Sequence, residues 1–193
     1  MAILKIARMG HPVLRRPAQP VADPQDPEVQ RLIKDMTETM LDAQGAGLAA
    51  PQVYRSLRVI LFHAPAVRSG ASSPGPADTA PFTVLINPEI TIDTTDRQEG
   101  WEGCLSIPGL RGRVPRAPHI WYRGLGSDGT PLEREATGFH ARVVQHEVDH
   151  LDGVLYPDRM TRLESLVFES EWSHVLAEER AAEGDVAQQE VSP

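Results

Sequence analysis

Cysteine is nearly absent from this sequence: Cys104 is the only one among 193 residues. A single cysteine excludes an internal disulfide, so folding must depend on a hydrophobic core, which a chain of this length can build. Apolar residues make up 40% and charged residues 24% of the composition, as in ordinary globular domains. We therefore expect one domain spanning residues 1–193, in a reducing compartment.

Long hydrophobic runs are also missing. Short runs such as Val84-Leu85-Ile86 occur, whereas a membrane-spanning helix needs about 20 apolar residues. The opening segment MAILKIARMG lacks the apolar core of a secretory signal and the extended Arg- and Ser-rich composition of a transit peptide. These absences predict a cytoplasmic protein without membrane contact.

Positive charge is scarce, with 19 Lys and Arg against 27 Asp and Glu, a net charge of −8. Because nonspecific affinity for nucleic acid comes largely from Lys and Arg, we expect no direct nucleic-acid binding. Residues 164–193 repeat the bias, with eight acidic residues and one arginine. The function must therefore come from a localised site.

Apolar spacing predicts three helices. The first runs from Asp26, a suitable cap, to Gly45, and Pro27 fits its first position. The second covers Phe139 to Leu151 and ends at Gly153, and the third runs from Arg162 to about Ala182. Strands are predicted at Leu57–His63, Phe82–Ile90, His119–Leu125 and Leu132–Ala136, with a hairpin turn at Ser127–Gly129.

Two segments show neither helical nor strand periodicity. Ala64 to Pro81 is rich in Pro, Gly and Ser, which predicts a flexible surface loop. Residues from about 184 to 193 are expected to be a frayed tail. The whole pattern predicts a small single α+β domain, with short antiparallel or mixed strands around a central helix and a further C-terminal helix.

The central helix carries the main chemical signal. At about 100° per residue, Phe139, Val143, His146 and His150 fall on one face, and Glu147 lies beside them. Two histidines four apart with an adjacent glutamate fit a metal site that has its own base. An ordinary polar helix face is the alternative, since two ligands are too few for a catalytic metal.

Two candidates exist for a third ligand. Cys104 lies in the stretch EGCLSIPG, whose neighbours lack the apolar alternation of a core strand, and a Cys/His/His set with an open position is an accepted catalytic arrangement. In an H-E-x-x-H zinc metalloprotease the third ligand would instead be a downstream acid, here Glu164 or Glu169. From the residues alone both remain open.

Three segments taken in order resemble the peptide deformylases: GAGLAAPQ (45–52), EGCLS (102–106) and QHEVDHLDG (145–153). The resemblance implies an α+β domain whose central helix bears the metal, and removal of the formyl group from N-formylmethionyl nascent peptides. By matching position, Cys104, His146 and His150 would bind one divalent ion, characteristically Fe(II), with Zn, Ni or Co possible in its place. Glu147 would be the general acid–base, and Gln52 with the Leu105 N–H would bind the carbonyl oxygen.

Peptide contacts are expected around these residues. Phe139 and Val143 would form an apolar wall for the methionine side chain, although spacing alone fits plain core equally well. Three glycines, Gly45, Gly47 and Gly103, would let backbone pass close to an extended peptide. Arg111 matches a family position near the site, but with Arg113 and Arg116 it also fits a solvated basic face. The acidic tail argues against ribosome contact through a basic tail, although transient contact by another route remains compatible with the sequence.

Overall fold

The computed structural model describes residues 2–68, 73–178 and 181. The helices are α1 (Pro27–Asp42), α2 (Gly138–Leu151) and the single turn α3 (Tyr156–Arg159). Eight strands are present in this described part: β1 (Gly47–Ala49), β2 (Val59–Ala64), β3 (Ala80–Thr91), β4 (Gln98–Cys104), β5 (Ile107–Arg116), β6 (His119–Leu125), β7 (Pro131–Thr137) and β8 (Val167–Phe168). Short 3-10 turns occur at Pro12–Arg15, Ala50–Val53, Ala66–Arg68, Leu163–Ser165 and Glu169–Glu171. Within the same described residues, no helix is long and apolar enough to cross a membrane.

The strands form two antiparallel sheets, which confirms the α+β class. One sheet has the order β1-β2-β3-β6-β7, and the other has the order β4-β5-β8. The predicted hairpin is present, with β6 and β7 paired from His119 opposite Thr137 to Leu125 opposite Pro131. Gly129 at its turn has a φ of 80°, a conformation that glycine adopts without strain.

The five-stranded sheet has a helix packed on each face, and its strand β2 is buried on both. Along β2, Val59 and Leu61 join the cluster packed against α1, whereas Ile60 and Phe62 join the cluster packed against α2. This alternation follows from the period of two along a strand. It explains why the run LRVILFH is apolar almost throughout.

Both main helices begin where the sequence predicts. Asp26 caps α1 by accepting a hydrogen bond from Glu28 N at 2.7 Å, and α2 begins one residue before Phe139. The end of α1 differs slightly, because Gln44, with a φ of 53°, takes the left-handed position ahead of Gly45. Gly153 follows α2 with a φ of 75°, and a Cβ there would lie 2.8 Å from the Arg15 carbonyl carbon.

The β4–β5 hairpin was not predicted: Cys104 belongs to a strand although its neighbours lack the apolar alternation of a core strand. Cys104 is the last residue of β4, and it lies opposite Ile107 of β5 across the turn formed by residues 105 and 106. Residues 98–116 contain four glycines and two prolines, which hid the strand pattern in the sequence. Pairing between the two strands decides their conformation instead.

The third helix starts later than predicted. Val167 and Phe168 form β8, which pairs with Arg111 and Leu110 of β5, and α-helical structure begins only at residue 172. Hydrogen bonding of Val167 and Phe168 to the edge strand β5 decides their conformation, although the apolar residues of this segment have helical spacing. The predicted end near Ala182 and the tail from 184 to 193 lie outside the described residues.

The segment Ala64–Pro81 is shorter as a loop than predicted, because its two ends belong to β2 and β3. Its second half is tied to the start of α2: Thr137 Oγ1 donates to Asp78 Oδ1 at 2.6 Å, and His140 Nδ1 donates to the Ala77 carbonyl at 2.8 Å. Residues 69–72 lie outside the described part of the chain. The predicted flexibility of this segment stays a prediction.

Candidate metal centre

The fold brings Cys104, His146 and His150 together, with one potential ligand atom from each lying within 4.8 Å of the others. Cys104 Sγ lies 3.3 Å from His150 Nε2. The two imidazoles are one helical turn apart, with ring centroids 5.0 Å apart. A strand end and one helix face thus deliver the soft and borderline donors that transition-metal ions prefer.

The chemistry of this donor set fits a bound cation. Burial disfavours a charged thiol, but the charges of His150 and His146 and their hydrogen bonds hold the pKa of Cys104 well below its usual range. A thiolate is the form that binds metal. Neither Glu164 nor Glu169 belongs to this cluster, because Glu164 pairs with Arg162 and Glu169 pairs with Arg111.

Glu102 orients the His146 ring through a hydrogen bond from Nδ1. His146 Nδ1 donates to Glu102 Oε2 at 2.8 Å, which leaves the other ring nitrogen for a cation, as metal-ligating histidines commonly arrange it. Burial alone would raise the pKa of Glu102, but hydrogen bonds from His146 and Arg116 outweigh it and hold that pKa well below its usual value. Glu102 therefore remains a carboxylate.

Arg116 is buried in this network, so the alternative of a solvated basic face does not hold for it. Its Nε and Nη2 donate to the two oxygens of Glu102 at 2.9 and 3.0 Å, and its Nη1 donates to Asp149 Oδ2 at 2.5 Å. Arg142 Nη1 adds a further bond to Glu102 Oε1 at 2.9 Å. The network links β4, β5 and α2 directly behind the two histidines.

Glu147 is buried next to the cluster, with 4% of its surface exposed. Within the described residues, its Oε2 has no hydrogen-bond partner. Burial raises the pKa of Glu147 to about 7, although the nearby histidine charges oppose that rise. A buried carboxyl group of this kind can accept and return a proton near neutral pH.

Gln52 and the turn after Cys104 lie close to the Cys104 sulfur. Gln52 Oε1 accepts from Ala49 N at 2.9 Å, and this contact fixes the amide orientation. Gln52 Nε2 then points at Ser106 Oγ, 3.1 Å away, and at Cys104 Sγ, 3.5 Å away. Leu105 directly follows Cys104 in the β4–β5 turn, so its N–H is part of the same backbone turn.

The residues expected to contact a peptide differ in how deeply they are buried and in how much space surrounds them. Val143 is buried in the core cluster, whereas Phe139 is half-buried against it, with the Arg68 guanidinium 5.1 Å from its ring centroid. A Cβ on Gly45 would lie 3.0 Å from Leu105 Cδ1, but one on Gly103 would make only ordinary contacts, at 3.7 Å or more. A side chain at position 45 would thus be crowded, whereas one at position 103 would fit.

Sequence reasoning missed several residues around the ligands. Glu102 and Ser106 stand inside the recognised segment EGCLS, so their position beside Cys104 was a usable signal. Arg116, Arg142 and Tyr156 gave no such signal, because their contacts depend on tertiary packing. The Tyr156 ring stacks on that of His146 with centroids 6.3 Å apart.

Comparisons with known proteins identify the family of this chain. The sequence model of the polypeptide deformylase family matches residues 3–166. Peptide deformylase 1 of Prochlorococcus marinus is 46% identical and the match covers 98% of each chain. The chain also resembles class I type b peptide deformylase from Acinetobacter baumannii in its structures with Met-Ala-Ser (TM-score 0.71, 39% identity, 82% of this chain and 100% of that one) and with actinonin (TM-score 0.70, 37% identity, 83% and 100%). This chain therefore belongs to the peptide deformylase family.

Proposed function

We propose that this protein is a metal-dependent hydrolase that removes the formyl group from the N-terminal formylmethionine of newly made polypeptides and releases formate. One observation carries the proposal: Cys104, His146 and His150 converge within 4.8 Å beside the buried carboxyl group of Glu147. A formamide is a stable amide, so its hydrolysis needs an activated nucleophile, stabilisation of negative charge on oxygen and a proton for the leaving nitrogen. The residues at this site can meet each need.

Cys104, His146 and His150 would hold one divalent ion. Such an ion, when bound, supplies an activated water at neutral pH by lowering its pKa. We propose Fe(II) as the native ion, with Zn, Ni or Co able to take its place. A thiolate ligand donates charge to the cation, and it also makes the site sensitive to oxidation when the ion is ferrous.

Glu147 would take the proton from the attacking water and pass it to the departing amine. Its position suits this role, because it follows His146 directly on α2 and its Oε2 has no partner within the described residues. General acid–base catalysis by a positioned side chain contributes roughly 10²–10⁴-fold in rate. Glu147 would serve as a base and not as a fourth ligand.

Gln52 Nε2 and the Leu105 N–H would stabilise the developing oxyanion. Both donors adjoin Cys104: Gln52 Nε2 lies 3.5 Å from its sulfur, and Leu105 is the next residue along the chain. Donors aimed at an oxyanion are worth roughly 2.7–4 kcal/mol each in comparable sites. The bond from Ala49 N to Gln52 Oε1 keeps the amide nitrogen turned toward the site.

An extended peptide would lie along Gly45, Gly47 and Gly103, with Arg111 near its downstream part. Phe139 and Val143 would line the methionine side-chain pocket, a role supported by their shared face of α2 with His146. We propose that the protein acts in the cytoplasm on nascent chains. Any contact with ribosomes would be transient and would not use the acidic tail, whose charge opposes binding to RNA phosphates.

The direct test is formate release from formyl-Met-Ala, compared with acetyl-Met-Ala. A deformylase must strongly prefer the formyl peptide, because the extra methyl group hinders attack on the carbonyl carbon. Equal turnover of the two peptides would refute the proposal.

Metal analysis separates this function from an H-E-x-x-H zinc metalloprotease. Cys104→Ser should lose bound metal, and Glu169→Ala should retain it. The opposite result would favour the protease, although Glu169 is engaged by Arg111 in this structure.

A further inference from the structure

The C-terminal segment covers Arg111 on the outer face of the β4–β5 hairpin. β8 joins β5 with Val167 opposite Arg111, and the next residue after β8, Glu169, accepts two hydrogen bonds from the guanidinium. These bonds run from Nε at 2.9 Å and from Nη2 at 2.6 Å, both to Oε1. Trp172 lies against the same group, with the Arg111 guanidinium carbon 5.2 Å from the ring centroid.

This contact lies next to the residue that precedes the metal ligand Cys104. Arg111 is directly opposite Gly103 in the hairpin. A Cβ on Gly103 would lie 3.7 Å from Arg111 Cγ and 3.9 Å from Arg111 Cζ, so the arginine side chain extends over the Gly103 backbone. A peptide bound along Gly103 would meet the positive charge of Arg111 and the negative charge of Glu169 together.

The ion pair between Arg111 and Glu169 is exposed enough for Arg111 to exchange Glu169 for another carboxylate. The side chain of Arg111 is 32% exposed and that of Glu169 is 49% exposed. Both guanidinium nitrogens share one carboxylate oxygen, which is a weaker arrangement than two parallel bonds to two oxygens. Exposed ion pairs contribute little net free energy, so a carboxylate from a ligand can replace Glu169.

We propose that Glu169 determines peptide specificity by competing with acidic groups of the substrate for Arg111. This inference rests on the proposed function, in which Arg111 lies beside the bound peptide. Glu169 fills the position that a peptide carboxylate would take, and it repels that carboxylate as it approaches. Peptides with an acidic residue near Arg111 are therefore bound more weakly than they would be without the Glu169 carboxylate, and the chemical step is unaffected.

The test uses formyl-Met peptides with amidated C termini and either Glu or Gln at the second, third or fourth residue. Glu169→Gln is compared with the unchanged protein and with Glu164→Gln. That control makes the same charge change five residues away, on an acid paired with Arg162. At one of the three positions, Glu169→Gln should lower the ratio of KM for the Glu peptide to KM for the Gln peptide by about two- to fivefold, with kcat unchanged.

An unchanged ratio at all three positions would overturn the proposal, as would an equal fall in Glu164→Gln. In an Arg111→Gln background, Glu169→Gln should no longer lower the ratio. A full effect in that background would show that Glu169 acts without Arg111 and would also overturn the proposal. Refutation here leaves turnover of the neutral peptides intact, whereas failure of the proposed function would abolish formate release from all of them.

Discussion

Gly47 of β1 lies directly against the carboxylate of Glu147 on α2. A Cβ built on Gly47 would lie 2.2 Å from Glu147 Oε1 and 2.6 Å from its Cδ, distances at which the carboxylate must move. The glycine therefore limits where the proposed base can lie relative to the proposed metal ligands on α2.

Gly47→Ala should displace Glu147 and lower kcat/KM for formyl-Met-Ala by roughly 100-fold, because an ångström-scale misplacement of a catalytic group is that costly. Bound metal should stay near one equivalent, since the three atoms that a Cβ on Gly47 would approach most closely all belong to Glu147. Gly75→Ala is the matched control, because a Cβ there would meet only Asp78 Oδ2 at 3.6 Å. Full activity in Gly47→Ala would show that the carboxylate position is not critical.

Glu147→Gln should retain metal but lose roughly 10²–10⁴-fold in kcat, because an amide cannot accept the proton from water. Metal content by elemental analysis and formate release provide the two measurements. Glu133→Gln, an exposed substitution on β7, should change neither. A loss of metal in Glu147→Gln would instead assign this residue to the ligand set.

Arg116→Leu should lower the free energy of unfolding by about 3 kcal/mol, the lower end of the range for breaking a buried ion pair. Glu102 and Asp149 would each lose a buried partner but would keep Arg142 and Arg159 respectively. Denaturant unfolding of the metal-free protein measures the effect. Arg123→Leu is the control: Arg123 also binds a glutamate, Glu89, but the two side chains are 67% and 65% exposed. Because an ion pair this exposed contributes little net stability, Arg123→Leu should leave the free energy of unfolding nearly unchanged.

Activity should decline in air and be protected by reductant if the ion is ferrous, because the metal and its thiolate ligand Cys104 are both oxidisable. Half-lives measured with and without oxygen, together with metal analysis of anaerobically purified protein, test this expectation. Equal half-lives would indicate zinc as the working ion.

His140 should make the protein less stable in mild acid. Burial lowers the pKa of this fully buried histidine, although its bond to the Ala77 carbonyl partly opposes the shift. The unfolded chain therefore binds the proton more readily, and stability falls as the pH drops below the ordinary histidine value of 6.5. Unfolding free energies at pH 7.5 and about 5.5 should differ less in His140→Gln than in the unchanged protein.

Local structure was largely readable from the sequence. The helical period alone places His146 and His150 on one face of α2, because residues four apart lie one above the other. Asp26, Pro27 and the Ser127–Gly129 turn mark element boundaries through their own backbone and side-chain chemistry. The recognised segments added the family, and with it the expectation that Cys104 would lie beside the histidines.

Only the tertiary structure decided what surrounds these three proposed ligands. Cys104 and His150 are 46 positions apart along the chain, and they meet because β4 ends against α2. Local periodicity did not predict three features of the structure: the burial of Arg116, the close approach of Gly47 to Glu147, and the pairing of β8 with β5. Such contacts depend on which elements pack against each other. A local sequence pattern shows which face of one helix or strand is apolar, but not which element will cover that face.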